Sequence, residues 1–400
     1  MSYTDIYICI SVKYLYLTVN GSKAEASDHP AEQHVSLHGN TPENREIVFV
    51  MKRVLNLILI TTILMSGCRV EEPGKYIPSS QRKREKYATP EPGTYLRPMA
   101  YTLLNGIIRY QEDSESFREP GDWVKDMLAT HQKQLVDTVI RYQMLEVPVR
   151  IYYPTRRSLQ GNMPVILYIH GGGFIMGSVD EYNIMVSKMA KITGQIIVSV
   201  DYRLAPEFPF PAGLNDCFAV LCWLQERARK IGADPSRISV MGDSAGGNLA
   251  TVLTLRCRDE ARPQPLCQVL IYPGVTFLET PYPSMEYFGP SSEKSFVLTE
   301  DFMRTVKKQY MASETNERNP YLSPLEAELT PDLAPALIIT AECDPIRDAG
   351  RLYAEKLEDH GVDVEHIEYS GMIHGFMSFH MILKEAVEAM KYIRYYINRK

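Results

Sequence analysis

MGDSAGGNLA, residues 241–250, sets Ser244 among small residues directly after an apolar run, Arg237 to Met241, that reads as a β-strand. Gly242-Asp243-Ser244-Ala245-Gly246 is a GxSxG pattern between a strand and a helix, the setting in which a sharp turn exposes a serine hydroxyl. Larger side chains at 242 or 246 would collide with the adjacent strand and helix, so glycine is required there on steric grounds. A helix starting just after Ser244 aims its dipole and free N–H groups at developing negative charge. The same residues could form a glycine-rich turn that a serine merely caps, and GxSxG alone leaves that open.

Outward from this turn, strands and helices alternate from residue 145. The strands expected are Glu146 to Tyr153, Pro164 to Ile169, Ile196 to Asp201, Arg237 to Met241, Leu266 to Tyr272, Pro335 to Ala341 and Val362 to Tyr369. Helical stretches fall near 182–193, 212–230, 244–258 and 347–360, with Ser378 to Tyr396 as the last. Apolar β-rich runs separated by amphipathic helices predict one α/β domain with a mostly parallel sheet covered on both faces. The interval 275–325, rich in proline and aromatics around a helical patch near 299–311, interrupts the alternation, and an insertion of that length is usually functional. Upstream, Ala100, Leu103, Leu104, Ile107 and Ile108 form one helical face, and Trp123 to Leu135 reads as a second short helix. Residues of about 95–140 and 275–325 together are expected to form a cap. Its Tyr282, Tyr287, Phe288, Phe296 and Phe302 either line an acyl pocket or pack the cap itself.

A second motif supports the reading of Ser244 as a nucleophile. YIHGGGFIMGS, residues 168–178, follows an apolar strand and presents three consecutive glycines whose N–H groups a ligand can approach closely, as stabilisation of a tetrahedral oxyanion requires. A phosphate loop is disfavoured because the Lys and Ser/Thr of the nucleotide-binding pattern do not follow. A serine hydroxyl needs a base and an orienting acid, in the order Ser, Asp/Glu, His. TAECDPIRDAG puts Asp344 just beyond a strand, where sites form in open parallel sheets, and EYSGMIHGF puts His374 just past the last strand. Asp348 is the competing acid but reads as a first-turn helix charge. Among competing histidines, His360 ends a helix, His366 lies inside a strand and His380 falls on the final helix.

With these residues in place, the chain resembles the hormone-sensitive lipase group of α/β-hydrolases over about residues 164–376. The resemblance rests on HGGGF, GDSAGGNLA, VSVDYRLAPEFPFPAGLNDC, LIYPG, DPIRDAG and GMIHGF, in that order. It implies an α/β-hydrolase fold with a helical cap, Ser244 as nucleophile, Asp344 as acid and His374 as base. It further implies an oxyanion hole from the N–H groups of Gly171, Gly172 and Ala245. Tyr202, Arg203 and Glu207 in DYRLAPE read as structural, a buried hydrogen-bonded pair beside a proline-rich turn, and Asp243 as a loop-fixing group.

Composition narrows the partners. A net charge of −6 supplies no basic field for a phosphate backbone, so nucleic acid is excluded as a partner. The seven cysteines include no CxxC pair and no histidines at metal spacing, which predicts buried free thiols for all but Cys68. No metal or organic cofactor is implied.

MKRVLNLILITTILMSGC, residues 51–68, joins two basic residues, a 12-residue apolar run from Val54 to Met65, and a small-residue pair before Cys68. That run fits the roughly 7–15 residues of an export-signal core and is short of the roughly 20 that span a bilayer. Its end resembles a bacterial lipoprotein box, which implies acylation of Cys68 and an exported protein anchored to a bacterial cell membrane. Residues 51–67 are then the signal peptide, 68–94 a flexible tether and 95–400 the hydrolase domain. Because the signal follows a polar stretch, residues 1–50 are expected to be a spurious or disordered extension with Met51 as the true start. The function expected is a serine carboxylesterase acting on small-molecule esters with short to medium acyl chains. The alternatives are an amidase or deacetylase of the same fold, or a noncatalytic ligand-binding protein.

Overall fold

The computed structural model describes residues 135–154, 162–288, 297–298, 300–311 and 315–400. The expected extension, signal peptide, Cys68 and tether lie outside the described residues, as do residues 95–134 of the expected cap.

Eight strands form one sheet among the described residues: β1 (Leu135–Tyr142), β2 (Leu145–Tyr152), β3 (Met163–Ile169), β4 (Ile196–Val200), β5 (Ala233–Asp243), β6 (Gln268–Ile271), β7 (Ala336–Cys343) and β8 (Val364–Ile373). Their spatial order is β1-β2-β4-β3-β5-β6-β7-β8. β2 runs antiparallel to both β1 and β4, and every other pairing is parallel. The helices are α1 (Asn183–Thr193), α2 (Ala212–Arg227), α3 (Ala245–Asp259), α4 (Pro283–Phe288), α5 (Glu300–Tyr310), α6 (Arg347–Asp359) and α7 (Lys384–Ile397).

The continuous apolar strands have a simple cause, because both sheet faces are covered. Val165, Leu167 and Ile169 of β3 pack with Val198 of β4, Leu214 and Leu221 of α2, Leu249 of α3 and Leu357 of α6. The alternate residues Ile166 and Tyr168 face the other way, against Met185 and Met189 of α1 and Met390 and Ile393 of α7. Side chains alternate across a strand, so a strand buried on both faces must be apolar at every position.

The structure corrects the sequence reading in two places. The stretch expected to end a helix at Leu135 and to belong to the cap through residue 140 is instead edge strand β1 from Leu135 onward, paired with β2 from Leu135↔Tyr152 to Tyr142↔Leu145. Of its residues Ile140 alone is buried, while Val136 and Val139 are exposed. The inward apolar alternation that would mark a strand is therefore missing, and pairing with β2 decides the conformation. The last helix begins at Lys384, not Ser378. Phe376–Phe379 form a 3-10 turn and Leu383 is extended, which leaves His380 between the two elements.

Candidate active site

Ser244 sits between the end of β5 and the start of α3 with φ 54° and ψ −118°, a conformation that costs a non-glycine residue energy and is found where function demands it. The glycines beside it permit the turn. A Cβ on Gly246 would lie 2.0 Å from the Ile169 carbonyl oxygen, and one on Gly242 would lie 2.2 Å from the Gly246 oxygen. The steric reason read from the sequence is thus a direct backbone approach between the β5–α3 turn and β3.

The structure brings the three sequence-predicted catalytic residues together. Ser244 Oγ lies 2.8 Å from His374 Nε2, and His374 Nδ1 lies 2.8 Å from Asp344 Oδ2. Each follows the carboxyl end of a parallel strand, β5, β7 or β8, so the sheet sets their spacing. Asp344 is fully buried, and its other oxygen accepts the Ile346 N–H at 3.0 Å. With Nδ1–H donating to the carboxylate, Nε2 is left as the acceptor for the serine hydroxyl. Beside them, burial pushes the Cys343 thiol up to about 12, which keeps it protonated and unreactive at neutral pH.

The competing residues are occupied elsewhere. Asp348 accepts the Arg347 Nε–H at 2.8 Å and the Ser284 N–H at 2.8 Å. His366 pairs with Thr340 at 2.9 Å, and His360 bonds the Lys356 carbonyl on the surface.

Asp243 fixes the loops, as expected. Its Oδ1 accepts Tyr168 Oη–H at 2.6 Å and the Gly171 N–H at 3.0 Å, and its Oδ2 accepts Tyr182 Oη–H at 3.1 Å. Burial pushes the carboxyl up from its ordinary value against the pull of these three donors. Both tyrosine hydroxyls are held well above their usual range by burial and by the adjacent carboxylate, so they remain donors.

This network bears on one member of the expected oxyanion set. The Gly171 N–H is engaged by Asp243 and is not free for an oxyanion. The Gly172 carbonyl closes a tight turn by accepting the N–H groups of Ile175 and Met176, which leaves its N–H in the expected set. Gly173, the third glycine, is the member that lines the cavity beside Ser244 and Ala245. Ala245 opens α3, so its N–H has no partner within the helix. The glycine triplet was the available signal for Gly173, whereas the engagement of the Gly171 N–H depends on Asp243, 72 residues away.

The DYRLAPE residues are also reassigned. Arg203 forks onto Asp216, with Nη2–Oδ1 at 2.7 Å, an ion pair with the next helix. Tyr202 Oη donates to the His170 carbonyl at 3.0 Å, and its ring stacks on that histidine at 4.4 Å. His170 Nδ1 donates to the Gly171 carbonyl at 2.8 Å, and burial pushes its pKa down to about 4, so the ring is neutral.

A cavity of about 580 Å³ opens over Ser244. Phe174, Val275, Leu278, Met285 and Leu298 line it, and α5 supplies Phe302, Met303 and Val306. Of the expected pocket aromatics, Tyr282 and Phe302 line it, whereas Phe296 and the side chains of Tyr287 and Phe288 lie outside what the structure describes. Behind the cavity, Phe174 stacks on Tyr310 at 3.9 Å with Phe277 alongside. Cys217, Cys222, Cys257, Cys267 and Cys343 are buried with free thiols. Among the described residues no three His, Cys, Asp or Glu side chains gather as a metal site.

Known proteins bear the same stamp. The sequence profile of the alpha/beta hydrolase fold family matches residues 166–378. The chain is 35% identical over 293 residues to carboxylesterase NlhH of Mycobacterium tuberculosis, covering 73% of this chain and 89% of that protein. It is 36% identical over 247 residues to an ethyl acetate hydrolase of Pseudomonas putida, covering 61% and 76%. A solved hyperthermophilic esterase from Pyrobaculum calidifontis superposes with a TM-score of 0.67 at 37% identity, covering 76% of this chain and 98% of that one.

Proposed function

The chain belongs to the alpha/beta hydrolase family, in its hormone-sensitive lipase-like group, and on that premise we propose that Ser244, His374 and Asp344 carry out its reaction through an acyl-serine. It is a carboxylic ester hydrolase acting on small-molecule esters. The observation that carries the catalytic assignment is the unbroken line of hydrogen bonds from Ser244 through His374 to the buried Asp344.

His374 Nε2 takes the Ser244 proton as Oγ bonds to the ester carbonyl carbon and the carbonyl oxygen becomes an oxyanion. The N–H groups of Gly172, Gly173 and Ala245 stabilise that charge. Collapse breaks the carbon–oxygen bond to the alcohol, which leaves with the proton from His374. A water then gives a proton to His374, attacks the acyl carbon and releases the carboxylic acid as Ser244 regains its hydrogen. Asp344 holds the imidazole tautomer and stabilises its transient cation. The apolar lining of the cavity supports short to medium acyl chains as substrates.

The test is turnover of chromogenic esters from acetate to palmitate by the purified full chain, with Ser244→Ala as control. Activity abolished by the substitution supports the assignment, and activity retained overturns it. Turnover of amides with none of esters would favour the amidase reading.

Export and acylation at Cys68 complete the proposal, and the support is the sequence of residues 51–68. Two or more acyl chains would hold the protein stably on a membrane, where one is marginal. Among the described residues no helix is long and apolar enough to cross a membrane. Incorporation of labelled fatty acid that Cys68→Ser abolishes is the expected result, and unlabelled protein in the soluble fraction would overturn it.

A further inference from the structure

The insertion that carries the cap leaves the sheet after β6 and returns toward β7, and one side chain on α3 holds both of its ends. Asn248 is 1% exposed. Its Nδ2 donates to the Gly274 carbonyl at 2.7 Å and to the Leu322 carbonyl at 2.9 Å. An amide nitrogen carries two hydrogens, so both are used. Gly274 opens the insertion and Leu322 lies where it closes.

The same residue is one helical turn from the nucleophile. The Asn248 N–H donates to the Ser244 carbonyl at 3.1 Å, and the Gly274 N–H donates to that same oxygen at 3.1 Å. One residue thus ties together the nucleophile backbone, the start of the insertion and its end. Gly274 and Val275 line the cavity next to Ser244, so a shift at Gly274 moves a wall of that cavity relative to the reacting oxygen. Further out, Ser323 Oγ accepts the Phe277 N–H at 2.9 Å, which joins the two arms of the insertion to each other but not to α3.

We propose that Asn248 is a positioning residue for acyl selectivity, setting the distance between the cap wall and Ser244 by holding Gly274 and Leu322 with one amide. The role rests on the esterase reading above. Longer acyl chains touch more of the wall than acetate does, so they are the substrates that feel its displacement.

Asn248→Asp keeps the shape, but its carboxylate donates nothing and sets negative charge against two carbonyl oxygens. Asn248→Ser keeps a single donor. The full-length proteins would be compared for kcat/KM across acetate to palmitate esters, with melting temperatures measured in parallel. The expected result is a longer-chain to acetate ratio lowered about tenfold in Asn248→Asp, with Asn248→Ser intermediate. A merely structural amide would lower the melting temperature and scale all acyl lengths alike, so an unchanged ratio in a folded variant overturns the proposal. Failure of both variants to fold would make Asn248 a folding determinant and also overturn it. A wild type with no turnover on any ester would instead overturn the esterase reading, and this role with it.

Discussion

The two sides of the cavity at Ser244 are built differently. On the sheet side, Asp344 and His374 are buried at the ends of strands, and each polar atom of the relay has a fixed partner. On the cap side, the wall is α5 and the segment after β6, where apolar side chains meet the cavity and the ties to the core include Asn248 to the Leu322 carbonyl and Ser284 to Asp348 and the Pro345 carbonyl. The sheet side therefore governs whether the reaction occurs, because a general base tolerates little displacement. The cap side governs which acyl chain fits, because apolar packing is graded in steps of about 1 to 3 kcal/mol per methylene.

The largest effect should come from Asp344→Asn. It preserves the shape but reverses the hydrogen-bond preference toward His374 Nδ1, and kcat should fall on the order of 10⁴-fold. The comparison predicts an equal fall for acetate and longer esters, and steady-state kinetics on both would show it. A fall confined to one acyl length would break the division of labour between the two sides.

Asp243→Asn is expected to be milder. The carboxylate that binds Tyr168, Tyr182 and Gly171 loses its charge, and the glycine loop that carries the proposed oxyanion donors loosens without loss of the relay. Turnover should fall about tenfold to a hundredfold with KM little changed. An unaltered kcat would mean that the glycine loop holds its shape without this carboxylate.

Stability should also depend on pH through His170. An unfolded histidine titrates near 6.5, and burial pushes this one down to about 4, so between those values the unfolded chain binds the proton and the folded chain does not. The stabilisation is complete above about pH 6.5 and is lost as pH falls toward 4, by up to about 3 kcal/mol. Denaturant titrations across that interval should show the slope, and His170→Gln should flatten it.

The smallest effect is expected on the cap side. Phe302→Ala removes a ring from the cavity wall and should shift the acyl optimum toward longer chains, several-fold in the kcat/KM ratio, with acetate turnover near wild type. Ester-series kinetics read it directly, and a uniform loss of kcat would place α5 on the catalytic side of the comparison.

These differences parallel what could be read in advance. The nucleophile turn, the acid and the base are legible because each occupies a short motif whose neighbours are dictated by local sterics, as at Gly242 and Gly246. Strands β3, β4, β6 and β7 are legible because burial on both faces demands mostly apolar runs. Strand β1 is not, since its exposed Val136 and Val139 carry no inward pattern and its conformation comes from pairing with β2. The Arg203–Asp216 pair is also hidden, because Asp216 reaches Arg203 from the next helix.

The sequence by itself determined the α/β fold, the free buried thiols among the described cysteines, and the order of the proposed triad Ser244, Asp344 and His374, all properties of local composition and spacing. Tertiary structure alone decided that a carboxylate takes up the Gly171 N–H, what clamps Asp243, and how Asn248 binds both ends of the insertion. Each of these is a directional hydrogen bond between groups distant in the chain, with no partner until the sheet has brought the loops together.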